Sequence, residues 1–135
     1  FPKVEKTLRH FHELGVQQFV ATAKYEQSAQ AIISGLGINY LFSAVYGSME
    51  NGQFGDKKEL LARILDEERI KPASAVMIGD TVFDIAAGRH HNMTTIAVAW
   101  GYGDEASLSE AQPHASVYDV EQLVDVIKQS MTCGC

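Results

Sequence analysis

Asp80 and Asp84 are the side chains in this sequence best placed to do chemistry. The apolar run Ala75-Val76-Met77-Ile78 empties through Gly79 into these two carboxylates, which flank a turn. Four successive apolar residues predict a strand covered on both faces, and Gly79 lets the backbone turn sharply at its carboxyl end. Open α/β sheets bind ligands above the carboxyl ends of their strands, so both acids are expected at such a crevice. Their oxygens suit a hard cation, and Mg²⁺ takes one or two carboxylates together with water and phosphate oxygens. A structural reading of the same residues stays open, with Asp80 as the N-cap of the following helix and Asp84 as a solvated first-turn acid.

Two further groups fit a phosphate ligand. Phe19-Val20-Ala21-Thr22 places a hydroxyl just past an apolar run, and a threonine hydroxyl with free amides at a helix start donates well to phosphate. The alternative is that Thr22 simply begins its helix. Lys57 and Lys58 open a predicted helix, where a cation opposes the helix dipole and an anionic ligand would offset that cost. Surface lysines are common enough that a solvated role stays open as well.

The elements that must position these groups alternate. Val4, Leu8, Phe11 and Leu14 follow helical spacing up to Gly15, and Val16 to Ala21 reads as a strand. A second helix carries Ile32, Ile33 and Leu36 and stops at Gly37, Ser43 to Tyr46 is a short strand, and Gly47 to Asp56 is a loop. Leu60, Leu61, Ile64 and Leu65 mark a third helix, ended near Pro72. After the strand at Ala75 to Ile78 a helix ends near Gly88 to Asn92, with Asn92 suited to a left-handed cap. Strands follow at Thr95 to Ala99 and Ser116 to Tyr118, and Asp119 with Gln122 forms a capping box for a last helix. Strands separated by helices in this way predict an α/β fold, a parallel sheet between helical layers.

Composition narrows the function classes. At 135 residues and 46% hydrophobic, the chain suffices for one domain with a sizeable core. A net charge of -6 argues against nucleic acid or an anionic membrane as partner. No apolar run reaches spanning length and no signal-peptide pattern opens the chain, so a cytoplasmic location is expected. Phe1 rather than Met is the first residue, as at an interior starting point, and Cys133 and Cys135 lie on a short tail expected to be disordered and reduced. His10, His12, His90 and His91 read as surface or boundary residues.

Together these pieces resemble the haloacid dehalogenase (HAD) superfamily, in particular its phosphoglycolate phosphatase-like branch, from about Phe1 to Lys128. Phe19 to Thr22 is similar to the second family motif, Lys57-Lys58-Glu59-Leu60-Leu61 to the third, and Gly79-Asp80 with Asp84 to the fourth. Trp100-Gly101-Tyr102-Gly103 is similar to a loop common in this branch. The resemblance implies a three-layer α/β/α Rossmann-like core at residues 1–128, incomplete at its N-terminus, with 129–135 a flexible tail. It implies Mg²⁺-dependent hydrolysis of a small phosphate monoester through an aspartyl-phosphate. In that reaction Asp80 is the metal ligand, Thr22 binds substrate phosphate, Lys57 steadies nucleophile and phosphate with Lys58 as fallback, and Asp84 is a supporting catalytic acid.

One departure is large. Family enzymes begin with a strand ending in Asp-x-Asp-Gly, and no such segment occurs in this sequence. Nucleophile and cap are therefore expected to be missing, and the chain alone to be inactive. The missing strand lies between those ending at Thr22 and Asp80 in the family, so these two are expected either to pair directly or to leave open edges. Expected partners are a small phosphorylated metabolite and the missing N-terminal segment or another strand. The alternative function is a noncatalytic HAD-like binding or complementation module. A phosphoacceptor receiver-like domain fits less well, since no acid ends the Val16 to Ala21 strand.

Overall fold

In the computed structural model, which describes residues 2–99 and 105–132, the alternating pattern becomes two α/β units, Phe1–Arg69 and Ile70–Cys135. The Trp100 to Gly103 loop and the Cys133 and Cys135 tail lie outside the described residues.

The first unit opens with α1, Pro2–Glu13, which buries Phe11 and ends where Gly15 turns into the left-handed region at φ 82°. The Val16 amide returns to the Phe11 carbonyl at 3.0 Å, closing the cap. Gln18 Nε2 donates to the carbonyls of Leu8 and Leu41. Residues 16 to 18 are thus spent tying down α1, and β1 spans Phe19–Tyr25, three residues later than the pattern predicts. A helix, α2 at Glu26–Gly35, leads to β2 at Ala44–Ser48, and β1 and β2 pair in parallel from Phe19↔Ala44 to Ala21↔Tyr46. The register then breaks and resumes at Tyr25↔Ser48. The last helix of the unit, α3 at Lys57–Glu67, is capped by Asp56, whose carboxylate accepts from the Lys58 amide at 2.7 Å. Leu60, Leu61 and Ile64 make its buried stripe, and Phe11, Ala29, Leu41 and Tyr46 are also buried in this unit.

The second unit is a three-stranded parallel sheet in the order β3, β4, β5, at Val76–Gly79, Thr94–Val98 and Ala115–Val117. Its helices are α4 at Val82–His90, α5 at Glu105–Glu110 and α6 at Val120–Thr132. Ile85 of α4, Ala97 of β4 and Leu108 of α5 form a buried cluster. Asn92 takes the left-handed conformation at φ 61° after α4, as its side chain permits. Asp119 caps α6 by accepting from the Gln122 amide, while Gln122 Oε1 reaches back to the Tyr118 amide instead of closing the box on Asp119. The α6 helix runs on to Thr132, past the Lys128 boundary set for the core.

Of the two arrangements expected for the strands ending at Thr22 and Asp80, open edges rather than direct pairing are found: there are two parallel sheets, one in each unit, with β1 laddered to β2 and β3 to β4. Among the described residues β1 and β3 therefore each pair on one side, which makes both edge strands. The β3 strand is also not covered on both faces: Met77 and Gly79 are buried, but Ile78 is 40% exposed. An apolar run of four cannot tell a central strand from one whose second face lacks a cover.

Candidate active site

The strongest chemical group of the second unit stands where β3 ends. Gly79 is the last residue of that strand, Asp80 follows it half-buried, and α4 starts at Val82. Both structural readings of the acids are corrected here. The N-cap of α4 is Thr81, not Asp80: the Thr81 hydroxyl accepts from the Asp84 amide at 3.3 Å. Asp84 is not a solvated first-turn acid, being 7% exposed. Its Oδ2 accepts from the Thr81 hydroxyl at 3.0 Å and from the Thr81 amide at 3.3 Å, a reciprocal capping box. This burial is possible because residue 79 has no side chain: a Cβ there would overlap Asp84 Cβ and come within 2.5 Å of its Cγ and Oδ2. Asp84 is thus held beneath the turn that carries Asp80.

In the first unit the third-motif lysine is tied to the second-motif strand. Lys57 Nζ donates to the carbonyl of Ala21 at 2.7 Å, which sets its ammonium beside the residue preceding Thr22. Lys58 stands on the same helix turn with an exposed side chain, and its amide serves the Asp56 cap. Thr22 does not begin a helix, because α2 starts four residues later at Glu26. It lies where the β1 ladder to β2 breaks, between Ala21 and Tyr25, and its Oγ1 accepts from the Lys24 amide at 3.2 Å. A threonine hydroxyl that accepts one bond still has its own hydrogen to donate.

Carboxylate oxygens are the donors that Mg²⁺ prefers, and it needs few from the protein because water and phosphate complete its octahedron. Asp80 fits that requirement. Among the described residues no group of three or more His, Cys, Asp or Glu side chains could hold a metal.

Sequence reasoning missed two features. The Thr81-x-x-Asp84 spacing is a capping-box signature and was legible as such. The Arg63 cluster was not, because its partners are far apart in sequence. Arg63 Nη1 bonds Glu26 at 2.9 Å and its Nε bonds Glu67 at 2.7 Å, while the guanidinium lies 4.9 Å from the ring centres of both Tyr46 and Phe54. Burial opposes its charge, but the bonds to Glu26 and Glu67 prevail and raise its pKa. Glu26 also accepts from the Gly47 amide, so this network fixes the start of α2 against the end of β2. The groove beside it, lined by Phe54, Glu59, Arg63, Asp66 and Glu67, contains none of the site residues named above.

The chain is 30% identical over 131 residues to the tyrosine-protein kinase PtkA of Mycobacterium tuberculosis, covering 93% of this chain and 45% of that protein. It is 28% identical over 127 residues to the phosphoglycolate phosphatase of Psychrobacter arcticus, covering 94% and 55% respectively. It thus spans about half the length of these relatives. Among solved structures, a predicted phosphatase from Clostridium acetobutylicum superposes with a TM-score of 0.90 at 26% identity, over 93% of this chain and 58% of that one. Residues 1–92 match the haloacid dehalogenase-like hydrolases, and the chain, an α/β protein with parallel sheets and a Gly-Asp turn closing β3, belongs to that family.

Proposed function

We propose that this chain is the larger part of the core of a Mg²⁺-dependent phosphatase that hydrolyses a small phosphate monoester through an aspartyl-phosphate. The observation that carries the reading is the Gly79-Asp80 turn at the end of β3, with Asp84 buried beneath it. Its support comes from the family and from the phosphoglycolate phosphatase relative.

In this reading Asp80 holds Mg²⁺, which when bound would neutralise charge on the phosphoryl oxygens. Thr22 donates its hydroxyl hydrogen to a phosphoryl oxygen, and the Lys57 ammonium, oriented by the Ala21 carbonyl, offsets charge that builds up during transfer. Asp84 keeps the Asp80 turn in one conformation. The attacking carboxylate and the proton shuttle come from an Asp-x-Asp strand, a sequence these 135 residues do not contain. A cytoplasmic setting, where phosphorylated metabolites occur, goes with this reading.

The test is complementation. This chain is mixed with a peptide carrying an apolar strand that ends in Asp-x-Asp-Gly, and Mg²⁺-dependent hydrolysis of an aryl phosphate is followed. The expected result is no turnover by either piece, turnover by the mixture, and loss of that turnover in Asp80→Asn. A mixture that binds the peptide but turns nothing over at saturating Mg²⁺ would favour the noncatalytic module.

A further inference from the structure

The residues flanking Asp80 are held by one and the same buried carboxylate. On the amino side, Gly79 packs so closely on Asp84 that no Cβ fits between them. On the carboxyl side, Thr81 gives Asp84 Oδ2 two hydrogen bonds, from its hydroxyl at 3.0 Å and from its amide at 3.3 Å. The hydroxyl bond is the shorter of the two. The same hydroxyl accepts from the Asp84 amide at 3.3 Å and so caps α4 as well. A carboxylate accepts hydrogen bonds and donates none. Asp84, at 7% exposure, therefore depends on such donors, and a neighbour lacking the hydroxyl would take away the shorter of the two bonds that Thr81 gives it.

We propose that Thr81 is a positioning residue for the Asp80 carboxylate, acting through Asp84. This rests on the reading of Asp80 as the Mg²⁺ ligand. The hydroxyl fixes Asp84, Asp84 fixes both peptide groups adjoining Asp80, and Asp80 presents its oxygens in one orientation before the cation arrives. Preorganisation of this kind is worth about 10- to 100-fold in metal affinity when the supporting residue is removed.

The experiment separates positioning from helix capping. Glycine caps a helix about as well as threonine and carries no side-chain donor, so Thr81→Gly keeps α4 while removing the hydroxyl, and Thr81→Ser keeps both. Mn²⁺ is titrated into the full chain to millimolar concentration, free Mn²⁺ is read by electron paramagnetic resonance, and thermal melting is recorded for each variant. The expected result is Asp80-dependent binding that weakens by about tenfold in Thr81→Gly and returns to within about twofold in Thr81→Ser, with similar melting curves. Binding by Thr81→Gly equal to that of the unsubstituted chain overturns the proposal while leaving the Asp80 reading intact, as does equal weakening in both variants. No Asp80-dependent binding in the unsubstituted chain overturns both.

Discussion

Gly79→Ala tests the packing on which the site description rests. The added Cβ would overlap Asp84 Cβ and sit within 2.5 Å of Cγ and Oδ2, where ordinary contact begins at 3.4 Å. Relief requires Asp84, or the first turn of α4, to move by roughly 1 Å, enough to break the bonds to Thr81. Overpacking of this kind costs about 1–3 kcal/mol. The lost cap adds about 1 kcal/mol. Against this, alanine restricts the unfolded chain and returns about 0.4–1 kcal/mol. The clash therefore wins, with a net loss of about 1–3.5 kcal/mol. Native-state hydrogen exchange at the amides of Met77, Ile78 and Ile96 reads this loss within the second unit. In an Asp84→Gly background the atoms that clash are gone, and the same substitution should cost less than about 1 kcal/mol. A loss below about 0.5 kcal/mol in the unsubstituted chain, or an equal loss in both backgrounds, would refute the packing argument.

Three further predictions concern the first unit. Lys57→Met should cost about 1 kcal/mol of stability through the bond to the Ala21 carbonyl, and weaken inorganic phosphate binding, read by phosphorus NMR, by about tenfold or more; Lys58→Met should leave phosphate binding unchanged. Arg63→Lys should lose about 1–2 kcal/mol in urea unfolding, since an ammonium cannot both stack on Tyr46 and Phe54 and fork between Glu26 and Glu67. Burial, followed by the hydrogen bond to Glu68, raises the Tyr46 phenol above its ordinary range. The folded state then keeps a proton that the unfolded state loses, so this contribution is whole below about pH 10 and declines as pH rises further. Urea midpoints should hold steady from this cause up to roughly pH 10 and fall above it, and fall less in Tyr46→Phe.

The Gly-Asp turn was legible in the sequence because its signal is local: an apolar run, a glycine and an acid in succession. The burial of Asp84 was not, because it depends on how closely α4 approaches Gly79, and pattern alone carries no distance. The displaced start of β1 has a similar origin, since Val16 is as good a strand residue as Phe19 until the Gly15 cap claims its amide. The α5 helix went unseen because six residues with Leu108 as the buried side chain give no period to detect. The Lys57 contact with Ala21 spans 36 positions, so no window of sequence contains it. What sequence did supply was the order of the motifs, and that order carried the family.

The most direct test of the central claim is an amide NMR titration of this chain with Mg²⁺ to millimolar concentration. The account predicts shifts concentrated at Gly79 to Asp84 that vanish in Asp80→Asn. Shifts that persist in Asp80→Asn, or a Gly79 to Asp84 segment that does not respond to Mg²⁺, would contradict it.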